Sequence, residues 1–463
     1  MTGAILLFYQ ISLKNHAEPR TSRRLEELRQ TLAEISHKSA ANLIHDWSAY
    51  SGNMRRRALL ALILLANGLN AQTILSLMSE PQVKAALESA RTNEPHFIDE
   101  QIRICEIPAP PFKEDARGRE LERLFRSSGL QNVRTDRAGN VIGVRPGTAA
   151  HPNLLFEAHL DTVFPEGTDV RVKRDGTVLR GPGISDDCRG LAAMLALIHA
   201  LNEAKIQTRG TITFVADTGE EGLGDLRGTK ALFNDTLKGQ IDKFISVDGT
   251  GLSITNQGVG SYRYRATFRG HGGHSFGSFG LANPIQAMGI AIARIDAFEV
   301  PDNPKTTFNV GRVGGGTSVN AIPFEAWMEV DLRSADNAML ESLNARYKRA
   351  VDEAVAAENR RWKSGVPVSV SNEVVGFRPA GETPADSPIV RTAIEVNRQF
   401  GSLGNLSEGS TDANVPMSMG IPAITIGAGG KGMGAHALDE SFDTKDSYLG
   451  TQRALVLALA LVR

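Results

Sequence analysis

The stretch Asn153-Leu154-Leu155-Phe156-Glu157-Ala158-His159-Leu160-Asp161-Thr162-Val163 decides how this chain is read. Its first six residues form a short apolar run of the kind expected in a buried strand. An imidazole and a carboxylate two residues apart therefore land at the strand's carboxyl end. In open α/β sheets that end is where ligands bind. Other stretches repeat the arrangement. Thr211-Ile212-Thr213-Phe214-Val215-Ala216 is strand-like and runs into Asp217-Thr218-Gly219-Glu220-Glu221-Gly222. Phe244-Ile245-Ser246-Val247 runs into Asp248-Gly249, and Ala423-Ile424-Thr425-Ile426 leads through a glycine-rich loop to His436. Asp186 and Asp187 precede a helical stretch, Gly190 to Ala204, with Leu191, Met194, Leu195, Ile198 and Leu201 on one face.

Taken singly, each feature has a plain structural explanation. An aspartate before a helix is a common N-cap, adjacent glutamates are usually solvated, and Asp-Gly after a strand is usually a turn. The glycine loop lacks the spacing of a phosphate-binding loop. Their shared placement is what argues for a site, because in a doubly wound sheet all of them fall along one edge. Two histidines and several carboxylates at one place require cations. Imidazole with carboxylate suits zinc, with cobalt or manganese as alternatives. One tetrahedral site would leave acidic groups over, so two metals fit better. Paired ions about 3.5–4 Å apart share a carboxylate and lower the pKa of a water between them, and a free glutamate can take its proton.

From about residue 97 to the end, the chain resembles the M20 family of co-catalytic dizinc metallopeptidases. That family includes glutamate carboxypeptidases, tripeptidase T, dipeptidases and N-acyl-amino-acid deacylases. His159-Leu160-Asp161-Thr162-Val163 resembles its H-x-D-T-V motif and Gly181-Pro182-Gly183-Ile184-Ser185-Asp186-Asp187 its bridging-aspartate motif. Glu220-Glu221-Gly222 resembles its glutamate pair, Val247-Asp248-Gly249 its third carboxylate and Gly434-Ala435-His436 its final histidine. The resemblance implies one metal on His159, Asp186 and Asp248 and a second on Asp186, Glu221 and His436. It implies Glu220 as general base, with Asp161 orienting the imidazole of His159. The bridging motif departs from the family after Asp187, which continues as Cys188-Arg189-Gly190; alignment from Gly181-Pro182-Gly183 favours Asp186 as the bridge.

From Gly258 the pattern changes to a βαββαβ order, the ferredoxin-like arrangement, and a helix at Pro388 to Phe400 returns to the first sheet. The expected fold is α/β: a mainly parallel catalytic sheet with helices on both faces, and an inserted ferredoxin-like α+β domain. The expected boundaries are 1–71 for an N-terminal extension, 72–257 and 378–463 for the catalytic domain, and 258–377 for the insertion. By resemblance the insertion is a lid and dimerisation domain. In it Gly272-Gly273-His274-Ser275 would bring His274 to the substrate carbonyl, often from the partner subunit, with His271 as the alternative. Asn320 and Arg333 lie in segments resembling substrate-binding ones; their plain readings are a turn former and a surface ion pair.

The 463 residues, 41% hydrophobic and 22% charged, describe an ordinary globular protein of more than one domain. A formal net charge of -1 gives no electrostatic case for nucleic acid. Cys105 and Cys188 do not make a disulfide framework. From Met54, three arginines, an apolar run and a small-residue zone to Ala71 have the pattern of a secretory signal peptide. That makes Met54 the expected start and the protein secreted or periplasmic. A buried or amphipathic helix in a cytoplasmic protein is the alternative. The run is too short for stable membrane insertion.

The expected function is a dizinc exopeptidase acting on short peptides, as a homodimer through the lid. Hydrolysis of N-acyl amino acids at the same metals is the alternative enzyme reading. A binding module without catalysis is the non-enzyme reading, disfavoured because the ligands and the base are all present.

Overall fold

The structure, a computed structural model, describes residues 72–362 and 365–463. The expected signal segment at 54–71 lies outside them. The chain divides into Met1–Ser76 and Leu77–Arg463, and the second unit carries the features below.

In chain order its principal strands are β1 (Gln131–Thr135), β2 (Val141–Arg145), β3 (Asn153–His159), β4 (Thr211–Asp217), β5 (Lys243–Val247), β6 (Ile254–Gly258), β7 (Gly260–Arg269), β8 (Thr306–Gly315), β9 (Glu325–Ser334), β10 (Ser369–Arg378), β11 (Gly381–Glu382), β12 (Leu406–Gly409) and β13 (Ala423–Ile426). Its principal helices are α1 (Pro81–Thr92), α2 (Glu94–Cys105), α3 (Asp115–Ser127), α4 (Cys188–Glu203), α5 (Pro284–Asp296), α6 (Asn337–Arg361), α7 (Pro388–Gln399) and α8 (Tyr448–Leu461).

The large sheet runs β1-β2-β4-β3-β5-β13-β6-β11, with β12 pairing β6. At its centre β4, β3, β5 and β13 are parallel neighbours, and antiparallel strands flank them. This is the mainly parallel α/β sheet the sequence predicts. Residues of β3 and β4 are buried almost without interruption, because both faces are covered, and so they read as continuous apolar runs. Phe156 and Phe214 stack on one face, their centroids 6.2 Å apart. On the other, Leu155, Val215 and Phe244 join a core with Leu232, Phe233 and Val415. Helix α4 is apolar nearly all round and is buried against α1, α2, α8 and β3.

The insertion forms a separate four-stranded antiparallel sheet, β8-β9-β7-β10, with α5 and α6 packed on Tyr264, Phe268, Met328 and Leu332. This is the ferredoxin-like order. Its last strand runs Ser369–Arg378. The strand is mostly half-exposed and carries Ser369, Ser371, Asn372 and Glu373, so its apolar periodicity is weak. Pairing along the whole of β7 defines it instead. Strands β6, with Thr255, Asn256 and Gln257, and β12, with Ser407 and Glu408, carry few apolar residues and so also escape a periodicity reading.

Cys105 and Cys188 are fully buried and joined by a disulfide, with Cα atoms 5.4 Å apart. The bond ties the end of α2 to the first residue of α4, directly after Asp187. It closes a loop with a sequence separation of 83 residues. The double variant Cys105→Ala/Cys188→Ala is expected to lose about 2–4 kcal/mol of stability. Thermal unfolding with and without reductant checks it: the wild type should fall to the variant's Tm on reduction, and equal Tm values throughout would rule out a stabilising bond.

Candidate metal centre

His159 closes β3 opposite Asp217 of β4, and Glu220 and Glu221 follow β4 within a few residues. Asp248 follows β5, whose Val247 lies opposite Ile426 of β13. The parallel strands end together, so these groups meet at one edge. His436 arrives by a different route. Lys431–Met433 pairs antiparallel with Ser441–Asp443, and His436 sits in the connection between them at φ 69°. Ser441 in turn pairs with Arg180, which places this hairpin beside the loop carrying Asp186. The glycine-rich segment is thus a hairpin arm that carries a histidine across to the sheet edge.

Two groups of ligating atoms result, each with its atoms within 4.8 Å of one another: His159, Asp186 and Asp248, and Asp186, Glu221 and His436. Asp186 belongs to both and uses a different oxygen toward each. Its Oδ1 is 3.1 Å from His159 Nε2, and its Oδ2 is 3.3 Å from His436 Nε2. His436 Nε2 is also 3.1 Å from Glu221 Oε1. Asp187 is otherwise occupied: it caps α4 by accepting from Gly190 N (3.0 Å) and accepts from His159 N (3.2 Å). A Cβ at Gly190 would lie 2.2 Å from Asp187 Oδ1 and 2.1 Å from Val247 O, so only glycine allows the helix this close to β5. Asp186 is thus the aspartate common to both groups, and the capping role goes to its neighbour.

The electrostatics suit cations. Burial, followed by the nearby Asp186, pushes Asp248 up to about 8. Burial also raises Glu221, against the hydrogen bond to His436. Burial works against the charged form of Asp186 too, yet hydrogen bonds to His159 and His436 hold it below the usual carboxylate range. His436 is pushed up to about 10 by its bonds to Asp186 and Glu221. Divalent cations would stabilise the charged forms of these buried carboxylates, and the imidazole and carboxylate donors fit borderline metals.

Glu220 is buried, and its atoms also approach His159 and Glu221. Its Oε1 accepts from Arg378 Nη1 at 2.8 Å, so that oxygen already faces a cation. Asp161 differs from expectation. The Nδ1 of His159 contacts the backbone carbonyl of Asp161 at 3.0 Å, and the carboxylate is farther, at 3.8 Å. The Asp161 carboxylate instead accepts from the backbone N–H groups of Gly219 (2.9 Å), Glu220 (3.1 Å) and Glu221 (2.9 Å). Burial raises its pKa to about 7. Its main chain orients the histidine and its side chain shapes the glutamate loop.

The candidate residues of the inserted domain make other contacts. His274 lies on a two-residue strand paired with Ala321–Ile322, and its Nδ1 accepts from the N–H groups of Phe276 and Gly277, both at 3.2 Å. Asn320 is nearby in the same flap: its carbonyl accepts from Ser275 N and its side chain from Ser318 Oγ. His271 contacts the carbonyl of Gly272. Arg333 is ion-paired to Asp331 at 2.7 Å.

Residues 155–460 match the description "Peptidase family M20/M25/M40". The chain belongs to this family. It is 28% identical over 354 residues to the uncharacterized protein YqjE of Bacillus subtilis, covering 73% of this chain and 91% of that one. It is 26% identical over 337 residues to carboxypeptidase G2 of a Pseudomonas species, covering 70% and 78%. The crystal structure of aminopeptidase PepT from Bacillus cereus superposes with a TM-score of 0.66 at 23% identity, over 80% of this chain and 99% of that one, and so shares its fold.

Several site residues carry no motif. Glu440, buried four residues past His436, accepts from the N–H groups of Gly183, Ser185 and Asp186 and from Ser185 Oγ, and so holds the bridging loop in shape. Arg117, fully buried in α3, donates to the carbonyls of Leu160, Cys105 and Ile107 behind His159. Glu157, Asp217 and Asp412 form a further buried carboxylate group on the face beneath His159. No local spacing marks any of them, because each reaches the site from a distant segment or from behind it.

Proposed function

We propose that the protein is an exopeptidase that hydrolyses a terminal peptide bond of short peptides with the help of two zinc ions. The observation that carries this reading is the sharing of Asp186 between two ligand groups, with the buried Glu220 beside them and outside both. His159, Asp186 and Asp248 would hold one ion and Asp186, Glu221 and His436 the other. When bound, such a pair lowers the pKa of a water and withdraws charge from the scissile carbonyl. Glu220 would take up a proton on its carboxylate and return it to the departing amine nitrogen. Asp161 keeps Glu220 and Glu221 at their stations through three backbone hydrogen bonds.

His274 would donate to the carbonyl oxygen as charge develops there. We assign that role to the histidine of a second subunit. Phe276, Phe279, Val319 and Phe324 are exposed on the same flap, an apolar patch of the kind that partners cover. Arg333 and Asn320 are the candidates for the substrate's polar end groups. The buried disulfide supports an oxidising compartment, in line with a signal peptide ending near Ala71. No helix among the described residues is long and apolar enough to cross a membrane.

The named relatives include both an aminopeptidase and a carboxypeptidase, so the test is a substrate panel. Zinc-loaded protein is assayed against di- and tripeptides, free or blocked at either end, and against N-acetyl amino acids. Free peptides should be cleaved fastest, with blocking of one particular terminus abolishing turnover. Faster cleavage of N-acetyl amino acids would replace this reading with that of a deacylase.

A further inference from the structure

Arg378 is the last residue of β10, at the point where the chain leaves the inserted domain for the catalytic sheet. It is 3% exposed. Its Nη1 donates to Glu220 Oε1 at 2.8 Å and to Ser410 Oγ at 3.1 Å, while Nη2 donates to the backbone carbonyl of Glu220. One guanidinium thus grips both the side chain and the main chain of a single residue. The planar fork of arginine suits this, and lysine cannot reproduce it.

The surrounding loop is tied to the same strand end. Phe377 N donates to Asp225 Oδ1 at 2.7 Å, and Lys230 Nζ bridges Asp225 and the carbonyl of Phe377, at 2.6 Å to each. Arg263 of β7 donates to the carbonyl of Gly222. Asp225 and Leu226 stand at φ 59° and 55°, consecutive non-glycine residues in the left-handed region. Such a backbone persists only where its surroundings impose it. Asp161 fixes the N–H groups of the loop from the catalytic side, but it does not touch the carboxylate of Glu220. A free glutamate side chain has three rotatable bonds whose freedom is lost when it is held in one place.

We infer that Arg378 is the positioning residue for Glu220, holding its carboxylate toward the metal ligands and coupling its placement to the seat of the lid domain. The inference rests on the reading of Glu220 as the base. Arg378 acts through Glu220 and makes no contribution of its own to the chemistry. It follows that its loss matters only while Glu220 is present.

The test is a double-mutant cycle on the full, zinc-loaded chain, using the best peptide of the panel, with zinc content measured for each variant. Arg378→Met should lower kcat by about 100-fold, the size expected when a catalytic group is misplaced by about 1 Å. KM should stay within about threefold and both metals should remain, which separates the effect from lost substrate binding or lost ligands. In the Glu220→Gln background the same substitution should change kcat by less than about twofold. Arg378→Lys, which restores the charge without the fork, should recover part of the loss, and its own cycle with Glu220→Gln decides the matter if Arg378→Met fails to fold. An equal loss in both backgrounds, a raised KM with intact kcat, or an unchanged kcat overturns the inference. A near-normal rate for Glu220→Gln alone overturns the assignment of the base, and the inference with it.

Discussion

Glu220→Gln is expected to lower kcat by about a thousandfold while the chain still binds two zinc ions, the range a positioned general base contributes being about 10²–10⁴. Glu220 stands next to the ligand Glu221 and approaches His159, so the first question is whether it is itself a ligand. Arg378 answers it. An oxygen already paired with a buried guanidinium at 2.8 Å is a poor donor to a second cation, whereas the other oxygen remains available for a proton. Glutamine keeps the shape and one acceptor for Arg378 but cannot take up the proton. The variant should therefore fold and load normally, with KM little changed. Zinc analysis alongside single-turnover kinetics checks this. Loss of a metal in Glu220→Gln would make Glu220 a ligand, and a near-normal rate with both metals bound would move the base elsewhere.

Asp186→Asn is expected to abolish tight zinc binding at both groups and to lower activity by at least about a thousandfold. Asp186 is the sole residue shared by the two ligand groups, with separate oxygens 3.1 Å from His159 and 3.3 Å from His436. An amide keeps one neutral oxygen and replaces the other with a donor that cannot bind a cation. His436→Ala should behave differently, losing one metal and keeping the other, because His436 belongs to only one group and is half exposed. The same contrast should appear in stability. A ligand that binds only the folded state stabilises it, so chelation should lower the Tm of the wild type and leave that of Asp186→Asn unchanged. Full zinc occupancy in Asp186→Asn, with loss in Asp187→Asn, would transfer the bridge to Asp187.

The local pattern determined a large part of this protein. A parallel strand covered on both faces must be a continuous apolar run, and parallel neighbours end at the same edge. A polar residue just past such a run is therefore placed in space as well as in sequence, and His159, Glu221 and Asp248 were legible for that reason. The helical face of Gly190 to Ala204 and the βαββαβ order of the insertion were legible through their own periods. Tertiary structure alone decided which partner each group meets. The carboxylate of Asp161 turns to the glutamate loop and leaves His159 to the main chain, a choice set by where β4 ends relative to β3. The ferrying of His436 to Asp186 depends on a hairpin pairing with Arg180, far away in the chain. Arg378 meets Glu220 across 158 residues and Cys105 meets Cys188 across 83. Such contacts follow from strand order and from the packing of one segment on another, which no residue spacing encodes, and so the candidate ligands were readable from the strand ends while the parts that hold them in place were not.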